Sequence, residues 1–178
     1  EFSAYRELLS KSYDRLVDTH KNLKKLAQGG TAVGTGINTH KDFGKNIAEE
    51  ISKYTKIEFI EAPNHFEAQS SQDTSVELAG VLKALAISLS KISNDIRWLS
   101  SGPRSGLGEL TIPSIQPGSS IMPGKVNPVI CESVLQVCAQ VIANDLAVSL
   151  GGLGSIFELN LMLPLIGHNL LYSIFILS

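Results

Sequence analysis

The chain has 178 residues, room for one ordinary domain. Its formal net charge is −2, so no global basic field points to nucleic acid or to a membrane surface. Hydrophobic residues make up 43% and aromatics 6%, a balance that favours packed aliphatic helices over a sandwich core.

Phe2, Leu9, Leu16 and Leu23 recur at heptad spacing, with Tyr5 and Leu26 on the same seam and charges between them. That pattern predicts one amphipathic helix over 1–28, ended by Gly29 and Gly30. Residues 29–40, GGTAVGTGINTH, read as a glycine-rich turn. Thr39 or Asn38 can cap a helix over 41–54, with Phe43, Ile47, Ile51 and Tyr54 inward. The stretch KIEFIEAP is extended and Pro63 stops it. A long helix follows from about 67 to 100, whose small residues, Ala79, Gly80, Ala84 and Ala86 among them, let neighbouring helices approach closely.

Residues 101–127 hold four prolines and several glycines, which excludes helix across most of the span; GLGELTIP fits a short hairpin. Pro128 suits the first turn of a helix over 129–149. Cys131 and Cys138 lie on one face of it, about two turns apart and too distant to bridge, and read as free thiols of a reducing compartment. Gly151, Gly152 and Gly154 break this helix, and another runs from about 156 to the end. Residues 159–178 carry no Asp, Glu, Lys or Arg, but Pro164, His168 and Asn169 and the lack of basic flanks favour the middle of a helical bundle over a membrane span.

The fold class expected is therefore all-α, a long-helix bundle. The two central helices need apolar neighbours on nearly every side, more than a chain of this size supplies. The core is expected to be completed by other copies in a C2 or D2 homo-oligomer. The chain opens on EFSAYRELL already in helical rhythm and closes on an apolar NLLYSIFILS. Both ends look cut, as in a piece of a longer protein, and no secretory signal pattern is visible.

The most distinctive stretch is PGSSIMPGKVNP at 117–128. Its glycines and serines offer backbone N–H groups and hydroxyls to a carboxylate or oxyanion. Lys125 adds a point charge and Asn127 a directional amide. Pro117, Pro123 and Pro128 restrict φ and lower the entropy lost when the loop orders around a ligand. This chemistry suits a small carboxylate substrate.

GSSIMPGKVNP resembles the signature loop of the fumarase/aspartase superfamily. GGTAVGTGINTH resembles the second shared region of class II fumarases, and APNHFEAQSSQD and GSIFELN are closer to fumarases than to aspartases. The likeness runs in register from residue 1 to 178. It implies that 1–178 is part of a central helical domain, with the N- and C-terminal domains lying outside the chain. It also implies reversible anti addition of water to fumarate, giving (S)-malate, in the tricarboxylic acid cycle, through an aci-carboxylate intermediate and without metal or organic cofactor.

Carried over by position, Ser119 corresponds to the proposed catalytic serine and Ser120 to a substrate-binding one. A serine hydroxyl is a poor base unless its alkoxide is held by neighbouring N–H groups and Lys125. Lys125 and Asn127 correspond to residues that hold the substrate carboxylate, with the Val126 backbone between them. Glu132 matches the acidic residue that pairs with the family's active-site histidine. That histidine belongs to a Thr-His motif upstream of residue 1, and none of His20, His40, His65 or His168 matches it. The isolated chain is accordingly expected to be inactive. Thr31, Thr35 and Asn38 read as mainly structural, with the threonines bonding near the site.

The implied partners are a small dicarboxylate and three further copies in a homotetramer, with no nucleic acid and no membrane. The implied location is the cytoplasm, or the mitochondrial matrix in a eukaryote. Two other readings stay open: an aspartate ammonia-lyase of the same superfamily, and a non-catalytic helical oligomerisation core.

Overall fold

A computed structural model of the chain describes residues 1–116, 118 and 121–178. In chain order these form helix α1 (Phe2–Asn22), the two-residue strand β1 (Lys25–Leu26), α2 (Phe43–Thr55), β2 (Ile60–Glu61), the short α3 (His65–Ser70), α4 (Asp73–Leu99), α5 (Val129–Gly152), strands β3 (Ser155–Ile156) and β4 (Leu159–Asn160), and α6 (Leu163–Leu177). The architecture is the expected all-α one. Among the described residues the strands are confined to a parallel β1–β2 pair and an antiparallel β3–β4 pair.

The helix directions follow from which residues meet. Tyr5 reaches Asp95 and Asn22 reaches Glu77, so α1 runs antiparallel to α4. Lys83 meets Asp145 while Gly152 lies against Val76, so α4 and α5 are antiparallel too. Asn144 bonds Ser173 and Gly151 packs on Ile166, which sets α6 antiparallel to α5. Two apolar clusters fill the α4–α5–α6 seam: Leu82, Ala86, Cys138 and Val141, then Ala79, Val148 and Ile166. Val141 and Val148 are fully buried, and each contributes about 1.5–3 kcal/mol. Of the small residues anticipated in α4, Ala79 and Ala86 face this seam, whereas a Cβ on Gly80 would meet nothing within 4 Å. Both cysteines are free, Cys138 buried and Cys131 half-buried.

Element ends differ from the sequence reading for identifiable reasons. α1 stops at Asn22 rather than 28, because Lys25 and Leu26 pair with Ile60 and Glu61. Its buried positions are Tyr5, Ser12 and Thr19, whereas Phe2 and Leu9 are exposed. The hydroxyls on that face cost little to bury, since Ser12 donates to the Leu8 carbonyl and Thr19 to the Arg15 carbonyl, both at 2.9 Å. α2 begins after Asp42, not after Thr39 or Asn38, and Asn38 itself sits at φ +63°. Tyr54, expected inward, is 90% exposed, and the buried positions of α2 are the small Gly44 and Ala48.

The helix expected over 67–100 is split at Ser71, which is extended. The Ser71 hydroxyl accepts the Asp73 N–H at 3.2 Å, a local bond that competes with helix continuation. α5 continues through Gly151 and Gly152. Gly151 must be small: a Cβ there would stand 2.5 Å from Ile166 Cγ1. The final helix starts at Leu163, after the β3–β4 hairpin that the sequence reading missed. GLGELTIP forms no hairpin. Instead Gly108 donates to the Ser101 carbonyl at 2.7 Å, and Glu109 and Leu110 both donate to the Leu99 carbonyl, folding the chain back on the end of α4.

Among the described residues one helix, α5, is long and apolar enough to cross a membrane. It carries Asp145, bonded to Lys83 at 2.6 Å within the bundle, the pattern of a core helix.

Tyr5 ties the start of α1 to the end of α4. Its hydroxyl donates to Asp95 at 2.8 Å, and Lys91 bonds the same carboxylate while lying over the Tyr5 ring. The Lys91 and Tyr5 hydrogen bonds hold the Asp95 carboxyl below its ordinary pKa of 3.8. The bond to Asp95, with burial, pushes the Tyr5 phenol from 10.0 up to about 12. A depressed acid stabilises the fold above its unfolded pKa, and that contribution is lost as pH falls through the lower folded value. A raised phenol stabilises below its unfolded pKa near 10.0, and the contribution is lost as pH rises through about 12. Tyr5→Phe should therefore lower Tm at neutral pH, and ultraviolet titration of the folded variant should lack the tyrosine that ionises near 12.

Candidate active site

Because α4 and α5 are antiparallel neighbours, the end of one and the start of the other lie at the same end of the bundle. Residues 100–128 join these two ends. At this end is an open cleft of about 940 Å³. One wall is the last turn of α4, with Arg97 and Trp98; the other is the stretch carrying Met122, Lys125 and Val126, with Glu132 from the first turn of α5.

Each wall is set by local chemistry. On the α4 side the Ser101 hydroxyl donates to the Trp98 carbonyl at 2.6 Å and accepts the Leu107 N–H at 3.1 Å. On the other side Lys125 N–H reaches back to the Met122 carbonyl at 3.4 Å, across Gly124 at φ +79°. That conformation favours glycine. Gly118 is pressed against the same turn: a Cβ on it would fall 1.8 Å from the Lys125 carbonyl oxygen. Pro128 stands at the N-cap of α5, and the Glu132 N–H donates to its carbonyl at 3.0 Å. A carboxylate in this first turn is favoured by the helix dipole.

Of the residues singled out from sequence, the structure brings Lys125, Val126 and Glu132 to one cleft. Lys125 and Val126 are exposed there and Glu132 is half-buried. Asn127 is half-buried beside them, and its carbonyl accepts the Val129 N–H at 2.9 Å. Ser119 and Ser120 lie outside the described residues.

Thr31 and Thr35, expected to bond near the site, are elsewhere. The glycine turn packs on α3, where the Gln69 amide donates to the Thr31 carbonyl at 3.0 Å. That is the opposite end of α4 from the cleft, roughly 40 Å away along a helix of 27 residues. Gly30 and Gly44 are closely packed there: a Cβ on Gly30 would stand 2.8 Å from His65 Cβ, and one on Gly44 2.7 Å from the Gln28 carbonyl oxygen. None of the four histidines lines the cleft. Among the described residues no group of three or more His, Cys, Asp and Glu side chains is placed to hold a metal ion.

Sequence reasoning passed over Arg97 and Trp98. Arg97 is a basic residue in the last turn of a helix, a position that the helix dipole already accounts for. Only the return of the chain after Ser101 shows that this turn is a cleft wall. The charged lining is thus Arg97, Lys125 and Glu132. Two cations and one carboxylate lining one cleft can hold an anionic ligand and orient a basic partner.

A family model described as a lyase matches residues 1–143. The chain belongs to this lyase family. Over all 178 residues it is 51% identical to the class II fumarate hydratase of Neisseria meningitidis. It is 53% identical over 174 residues, 98% of the chain, to the mitochondrial fumarate hydratase of Dictyostelium discoideum. It spans 38% and 36% of the length of these two relatives. The crystal structure of class II fumarase from Schistosoma mansoni superposes with a TM-score of 0.97 at 37% identity, covering 99% of this chain and 40% of that one.

The Gly118 packing is open to test in the full-length lyase. Gly118→Ala should displace the Lys125 turn and weaken small-carboxylate binding roughly tenfold by calorimetry, with Tm nearly unchanged because the loop lies outside the core. Unchanged affinity would separate the turn from ligand binding.

Proposed function

We propose that the full-length protein is a class II fumarate hydratase, interconverting fumarate and (S)-malate. The observation that carries this reading is the meeting of Lys125, Val126 and Glu132 in one cleft between α4 and α5. The relatives named fumarate hydratase at about half identity support it.

In this reading Lys125 and Asn127 hold a substrate carboxylate, with the Val126 N–H between them and the Ser120 hydroxyl alongside. In the direction of malate dehydration, Ser119 as its alkoxide takes the proton from C3. The electron pair left behind moves into the adjacent carboxylate, which becomes an aci-carboxylate with an extra negative charge. The C2 hydroxyl then leaves as water with a proton from an acid, and the double bond of fumarate forms. Donors gathered round the carboxylate bind this intermediate more tightly than the substrate, the condition for rate enhancement. Glu132 pairs with a histidine supplied by the rest of the full-length protein and orients it. Residues 1–178 form part of its central helical domain, and the chain by itself is inactive.

The active form is a homotetramer in the cytoplasm, or in the mitochondrial matrix of a eukaryote. Support for assembly comes from the apolar side chains that α5 and α6 leave uncovered, Leu146 at 60% exposure and Phe175 at 73% among them.

Lys125→Ala in the full-length enzyme should raise KM, lower kcat and cost about 10–100-fold in kcat/KM, because a carboxylate loses its charged partner. Wild-type kinetics in that variant would refute the site. Fumarate formation from malate but not from aspartate separates this activity from an ammonia-lyase.

A further inference from the structure

We infer that Ser101 is a positioning residue of the cleft: it fastens the returning chain to the last turn of α4 and so holds Leu110, Thr111 and Ile112 in the lining. The inference rests on the fumarate hydratase reading of the site.

A serine in a cleft lining can serve a ligand or the protein, and its bonds separate the two roles. Ser101 lines the cleft, but its one hydroxyl proton goes to the Trp98 carbonyl at 2.6 Å. It therefore has no donor left for a bound carboxylate. The hydroxyl oxygen accepts the Leu107 N–H at 3.1 Å, and the Ser101 carbonyl accepts the Gly108 N–H at 2.7 Å. The next two N–H groups, of Glu109 and Leu110, go to the Leu99 carbonyl at 2.8 and 3.0 Å. Four consecutive N–H groups, from Leu107 to Leu110, are thus received by Leu99 and Ser101 alone.

The closure leaves little slack. A Cβ on Gly106 would stand 2.3 Å from the Ser101 carbonyl carbon, a contact with backbone that no side-chain movement can relieve. Gly108 sits at φ +62°, a conformation that favours glycine. From there the chain passes directly into the lining that also holds Lys125 and Val126.

Residues 102–109 are exposed and belong to neither apolar cluster. Hydrogen bonds rather than burial hold this segment, so weakening them loosens the wall and leaves the bundle intact. A wall that must order when the ligand arrives lowers affinity without altering the chemical step. A role confined to the stability of the bundle predicts the reverse: a lower Tm and an unchanged KM.

The test uses the full-length protein with Ser101→Ala, Gly106→Ala and Lys125→Ala, measuring malate kinetics and Tm. Ser101→Ala should raise KM about three- to tenfold, with kcat within about twofold and Tm nearly unchanged. Gly106→Ala keeps the hydroxyl but drives a Cβ into the Ser101 backbone, and should reproduce that KM rise. It carries the comparison by itself if Ser101→Ala does not assemble. A KM rise in Ser101→Ala with none in Gly106→Ala would make the hydroxyl a direct ligand contact and overturn the positioning role. Unchanged KM in both variants while Lys125→Ala is impaired, or an effect on Tm alone, would also overturn it and leave the site standing. Wild-type kinetics in Lys125→Ala as well would show that the reading of the cleft itself has failed, and the inference with it.

Discussion

The antiparallel pairing of α4 and α5 is the constraint on which the cleft depends. It is made by side chains small enough to let two helices approach closely, Ala79 and Ala86 on one against Cys138, Val141 and Val148 on the other. Among the described residues one ion pair crosses the same seam. Asp145 retains only 9% side-chain exposure, and Lys83 bonds it at 2.6 Å. An unpaired carboxylate at that depth would be costly, so the pair penalises any register of α4 against α5 that separates the two. With that register set, Leu99 and Val129 stand at one end of the bundle. The cleft is lined by the last turn of α4, the first turn of α5 and described residues between them, so its position follows from helix packing before any ligand is considered.

This explains how an exposed, glycine- and proline-rich segment can carry a site. Arg97 and Glu132 are anchored on rigid helical turns. Lys125 is the exception, since it sits on a turn whose shape requires Gly124 at positive φ and leaves no room for a Cβ on Gly118. The site therefore combines two cleft residues fixed by the bundle with one fixed by local backbone stereochemistry. Changes at Gly118 act on the second kind alone.

Much of this was legible in the sequence. Aliphatic composition and helical periodicity gave the all-α bundle, and small residues marked the packed face of α4. The stretch GSSIMPGKVNP, which ends on Pro128 and is followed by Glu132, drew attention to the start of α5, where the structure has a cleft. Other features were hidden for physical reasons. The α1 seam of Phe2, Tyr5, Leu9, Leu16 and Leu23 was right in part: Tyr5 is buried and Leu16 packs on the core, but Phe2 and Leu9 are exposed, and the buried face also uses Ser12 and Thr19, whose hydroxyls bond their own helix. Two-residue strands such as β1 and β3 are too short for any period to show. Gly151 and Gly152 looked like helix breakers, yet they continue α5 because Ile166 and Val76 pack where their side chains would be. Arg97 gave no sign because a basic residue in a last helical turn is ordinary; only the returning chain places it in the lining of a cleft.

In the proposed function a dicarboxylate sits in the cleft where the end of α4 meets the start of α5. A crystal structure of the full-length protein with bound (S)-malate decides this. One malate carboxylate should lie within hydrogen-bonding distance of both Lys125 Nζ and Asn127. Malate bound elsewhere, with Lys125 and Asn127 touching only protein or solvent, would contradict it.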